Sequence, residues 1–84
     1  MAAGTLCISK LAAQADTYRA TFVAYDATPP SAMTIQGVDR LRSFLADAMR
    51  LRDADRERAL RDATERGVAV VRNVDLMEPS TEAA

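Results

Sequence analysis

Histidine is absent and cysteine occurs once, so any chemistry in this chain falls to acids and arginines. Most of these lie between Asp39 and Arg66, where eight arginines and seven acids share twenty-eight residues. Without histidine the usual neutral-pH base is missing, and Ser–His and Cys–His nucleophile pairs are excluded. Histidine-containing and four-cysteine zinc sites are excluded as well. The only lysine is Lys10, and no glycine-rich phosphate loop is spelled out. The alternation Asp53, Asp55, Glu57 imitates the start of a calcium loop. Such a loop needs a glycine at its sixth position and a bidentate acid at its twelfth, and Arg58 and Thr64 stand there instead. No cofactor and no metal ligand set is therefore expected.

Acid pairs can run proton chemistry only where a pocket raises one pKa. Here almost every acid has an arginine three or four residues away, as in Asp39–Arg42, Asp47–Arg50, Asp53–Arg56, Glu57–Arg61, Arg58–Asp62, Arg61–Glu65 and Asp62–Arg66. Each such pair contributes about 0.2–0.5 kcal/mol to a helix, and each holds its acid ionised. The same residues read functionally as a recognition corner: Arg50, Arg52, Arg56 and Arg58, mixed with Asp53 and Asp55. The mixed signs suit a protein partner, because paired charges set orientation and specificity. They oppose a nucleic-acid backbone, as does the net charge of −1. Tyr18 and Tyr25 are either core-edge packing or outward anchors of an interface.

These residues must be positioned by a small set of elements. Thr5–Leu11 and Thr17–Tyr25 alternate as two strands, joined through Ala13–Asp16. Leu11, Ala15, Tyr18, Phe22 and Tyr25 also fit a helical stripe, so a helix over 5–27 stays open. Pro29 and Pro30 break the chain, and Ser31 or Thr34 can cap the helix expected over 35–51. Val38, Leu41, Leu45, Ala48 and Met49 form its apolar stripe. Arg52 and Arg56 interrupt that stripe, which predicts a second helix over 54–66 capped by Asp53. Gly67 supplies the left-handed stop. One unbroken helix over 35–66 would be about 48 Å long against about 30 Å for a nine-residue strand, which favours two, while a continuous helix projecting from the domain, as in a dimer, stays open. A strand over 68–77 follows, with Val68, Val70, Val74 and Leu76 on one face, and then an acidic tail, 78–84, expected to be disordered.

The fold class is thus α+β: a small three-stranded sheet (β-β-α-α-β) with two helices packed on one face. The last strand is expected to lie parallel to the first. Residues 1–77 form a single domain, with Leu6, Ile8, Leu11, Phe22, Val38, Leu41, Leu45, Leu60, Val70 and Val74 as core anchors. A chain of this length buries only about 60–65% of its unfolded surface, so the core is thin and a homodimer is compatible with it. One cysteine fits a reducing compartment, and neither a signal-peptide pattern nor a membrane-length apolar run is present, so a cytoplasmic location is expected. The expected function is a small non-catalytic protein-binding module that inhibits or regulates a larger complex by occupying its surface. That class of size and composition includes anti-CRISPR proteins. A nucleic-acid-binding regulator or antitoxin and a self-assembling module are the alternatives.

Overall fold

The computed structural model describes residues 2–76. The expected acidic tail lies outside the described residues. Four strands and two helices follow in the order β-β-β-α-α-β: β1 (Ala2–Lys10), β2 (Thr17–Ala24), β3 (Ser31–Gln36), α1 (Val38–Ser43), α2 (Asp53–Arg61) and β4 (Val68–Leu76). Each helix runs on into a π-helical turn, Phe44–Ala48 after α1 and Asp62–Arg66 after α2. No described helix is long and apolar enough to cross a membrane.

The sheet has four strands, not three, in the order β3-β2-β1-β4, and every neighbouring pair is antiparallel. The added strand is β3, formed by residues expected to lead into a helix. Pro29 and Pro30 block helical geometry just before it. Thr34 and Ile35 then pair readily with Arg19 and Tyr18. Gly37, at φ 98°, ends the strand and starts the helix, a backbone that side-chain-bearing residues rarely adopt. The helix therefore begins at Val38 rather than at Ile35.

The extra strand also reverses β4. Gly37 N–H donates to the Asp16 carbonyl, and Lys10 N–H donates to the Gly67 carbonyl, each within 2.8 Å. The helical pair thus leaves and rejoins the sheet at one end, the end of the β1–β2 turn. Two helices return the chain to the end where β3 finished, so β4 runs opposite to β3 and to β1. The parallel arrangement expected from three strands is corrected accordingly.

A bulge sets the faces of β4. Gly4 opposes Val74 and Leu6 opposes Val71, so Thr5 faces two residues, Arg72 and Asn73. The bulge shifts the alternation by one. Ala69, Val71 and Val74 are buried under the helices, while Val70 is 51% exposed. Val68 and Val70 are therefore on the open face, contrary to the unbroken alternation expected from sequence. The core is Leu6, Ile8, Tyr18, Phe22, Ile35, Leu41, Leu45, Met49 and Leu60, completed by alanines such as Ala59, Ala63 and Ala69. Leu11 and Val38 are only partly buried.

Candidate functional site

The two helices are joined at Ala48–Arg52, and this junction sits beside the β4 bulge. Arg50 has φ 53°, a left-handed backbone, and Leu51 N–H reaches back to the Leu45 carbonyl at 3.0 Å. That hairpin bend ends the first helix and separates the two, as the failing apolar stripe predicts. It also swings Met49, Arg50, Leu51, Arg52 and Asp55 against Val71, Arg72, Asn73, Val74 and Asp75, leaving a cleft of about 300 Å³ between them.

Its walls differ in origin. One wall is the strained junction. The other is the bulge, where Asn73 has φ 61°, a value asparagine tolerates better than most residues. Tyr25 holds the bulge in place: its Oη accepts the Asn73 N–H at 3.1 Å and lies 3.3 Å from Thr5 Oγ1. These two hydrogen bonds, with a smaller contribution from Arg72, lower the Tyr25 pKa from the usual 10.0. Burial, followed by the charge of Asp16, raises that of Tyr18.

The residues expected to form a recognition corner divide into two groups. Arg56 and Arg58 are engaged along α2. Arg56 Nη2 lies 2.9 Å from Asp53 Oδ1, and Arg58 Nη2 lies 3.2 Å from Asp55 Oδ1. The Arg56 side chain is only 22% exposed, and its Nε faces Glu57 Oε2 at 3.6 Å, too long for a hydrogen bond. Of the seven helical pairs expected from spacing, Asp53–Arg56 is the one within ion-pair distance among the described residues. Exposed pairs gain little in high dielectric and lose side-chain freedom, which accounts for the rest. Glu57 instead reaches across to Arg42 on α1 at 3.9 Å.

Arg50 and Arg52 form the second group. Both are exposed, both line the cleft, and neither has an intrachain ion pair among the described residues. Arg72 joins them from β4 in the same state. Arg50, Arg52 and Arg72 thus line one cleft together with Asp55 and Asp75, over Leu51, Val71 and Val74, Arg72 standing at the rim where its charge also reaches Tyr25. Planar guanidinium groups bind carboxylates through paired hydrogen bonds, so the cleft can seat an acidic side chain while Asp75 receives a basic one. Tyr18 is 1% exposed and belongs to the core. Tyr25 is exposed and meets the cleft only through Asn73. Arg72, Asn73 and Asp75 were not singled out from sequence. The available signal was Arg72-Asn73 interrupting a run of valines, a polar pair that a bulge accommodates. No family model, no curated protein and no solved structure matches the chain.

Proposed function

We propose that the chain is a small non-catalytic protein-binding module that regulates or inhibits a larger complex by occupying one of its surfaces. The observation that carries this reading is the junction cleft, which Arg50, Arg52 and Arg72 line without an intrachain ion pair among the described residues. Unpaired arginines over an aliphatic floor are what hot spots at protein interfaces are made of. Asp55 and Asp75 in the same cleft favour a mixed-charge protein surface over a uniform line of phosphates.

The test compares affinity capture by the wild type with capture by a triple variant, Arg50→Glu, Arg52→Glu and Arg72→Glu, at moderate salt. All three side chains are exposed, so circular dichroism should be unchanged. The wild type should retain a defined protein, and the variant should lose it. Equal capture by both sinks the proposal. So does a retained species that proves to be nucleic acid and is released steeply as salt rises, since counterion release drives such binding.

A further inference from the structure

The two edges of the sheet are built differently. β4 is blunted by its bulge and carries Arg72 and Asp75, devices that keep an edge strand from pairing with another chain. β3, at the other edge, has none of them. Its sequence, Ser-Ala-Met-Thr-Ile-Gln, contains no charge and no proline, and its register with β2 is unbroken. Beside it runs a groove of about 360 Å³ between β3 and the first helix, with Arg40, Ser43, Phe44 and Asp47 along its helical side. Met33 on the strand side is 50% exposed although it lies on the helix-covered face, and Phe44 is only partly buried.

We infer that β3 and this helix form a two-fold interface with a second copy of the chain. An antiparallel β3–β3 pair centred on Thr34 keeps both sheet faces in phase. It places Met33 opposite the partner's Ile35 on the covered face and Thr34 opposite the partner's Thr34 on the open face, the latter a favourable cross-strand pair. The same two-fold axis runs the two first helices antiparallel. Arg40 and Asp47 stand symmetrically about Ser43 and Phe44, so the axis sets Arg40 against the partner's Asp47, and Asp47 against the partner's Arg40. Among the described residues neither has an ion-pair partner within its own chain.

The levels agree. The Ser43–Phe44 midpoint lies about 8 Å along the helix from Val38. Thr34 lies about 7 Å back along the strand from Gln36. One axis therefore serves both the strand and the helix. The result is a continuous eight-stranded sheet with a junction cleft at each far edge. This inference does not depend on what the cleft binds.

Sedimentation equilibrium from about 1 to 200 µM, a range suited to interfaces of modest affinity, tests it. The wild type should be a dimer. Arg40→Asp and Asp47→Arg should each weaken association at least about tenfold, because each juxtaposes like charges twice per dimer. The double exchange R40D/D47R should return to within about threefold of wild type, since the pairs are restored with signs reversed. Thr34→Glu should abolish the dimer. Independently of any variant, hydrogen exchange at the β3 amides of the wild type should slow as concentration rises. A wild type that stays monomeric, a dimer indifferent to the single reversals, a double exchange no better than either single one, or β3 exchange independent of concentration each overturns the interface. So does a β3 edge that takes up only an unrelated peptide.

Discussion

Replacing Arg50 by glycine should stabilise the fold and weaken binding at once. The residue sits at φ 53°, where a side chain presses its Cβ toward the following carbonyl oxygen. That conformation costs about 1–2 kcal/mol for a residue other than glycine. Glycine removes this strain but gives the unfolded chain more freedom, which offsets about 0.4–1 kcal/mol. The Arg50 side chain is exposed and makes no intrachain ion pair among the described residues, so little else is lost with it. The net gain is about 0.5–1 kcal/mol, or about 2–8 °C in Tm for a domain of this size. Urea denaturation and thermal melting read it directly. Arg50→Ala is the necessary companion, because it also lacks the guanidinium yet keeps the strained backbone. If R50G is no more stable than R50A, strain at the junction is not what the backbone angle implies. If R50G gains stability and still captures the partner fully, Arg50 is not a binding residue.

Gly4→Ala should destabilise by about 1–3 kcal/mol. A Cβ there collides with the Val23 carbonyl and the Ala24 backbone, neither of which can rotate away; an unchanged urea midpoint would contradict that close approach. Leu45→Ala should cost about 2–5 kcal/mol, since Leu45 is fully buried between helix and sheet, and calorimetry would register it as a large fall in Tm. The two tyrosines should ionise separately in an ultraviolet titration, Tyr25 below and Tyr18 above the ordinary 10.0, and Tyr25→Phe should delete only the earlier step. Tyr18 also fixes a sign. Above 10.0 the unfolded chain gives up this proton while the folded chain keeps it, so its contribution to stability falls as pH climbs through its raised pKa. A denaturation midpoint that rises over that range in the Tyr25→Phe variant would contradict the burial of Tyr18.

What was legible in the sequence was whatever rests on local chemistry. Gly67 marked the end of the second helix and does adopt the left-handed geometry, at φ 81°. The arginines at 52 and 56 marked the break between helices, because an apolar stripe cannot continue through them. The hairpin of β1 and β2 followed from clustered β-branched and aromatic residues. What was not legible depended on tertiary pairing. β3 offers only Met33 and Ile35 as alternating apolar residues, too few to signal a strand, and its pairing with β2 decides its state. That one strand then changed the direction of β4, a property no local window contains. The bulge at Arg72 and Asn73 was hidden for a similar reason. Alternation over Val68–Leu76 can be read in either phase, and Thr5 on another strand sets where the phase shifts. The candidate site inherits this division. Arg50 and Arg52 were visible as part of a charged corner, whereas Arg72, Asn73 and Asp75 reach the same cleft from a distant segment.

The bulge therefore has two consequences that are easily mistaken for separate features. By adding a residue it bends β4 and disrupts the regular ladder an approaching strand would need, which makes that edge a poor template for sheet extension. By the same step it places Arg72 and Asn73 along one wall of the cleft. A variant lacking one residue of the bulge, with Asn73 deleted, should restore the plain alternation. Val74 would then follow Arg72 directly, so Ala69, Val71, Val74 and Leu76 keep the core face while Val68, Val70 and Arg72 share the open one. The deletion should thus leave the apolar face of β4 covered, take Asn73 and its hydrogen bond to Tyr25 out of the cleft wall, and leave β4 prone to pair with other chains. Light scattering on heating would read the last effect, and affinity capture the second. A deletion variant that scatters no more light than the wild type on heating and retains the partner equally would show that the extra residue neither blunts this edge nor shapes the cleft, and the account of both edges would fall with it.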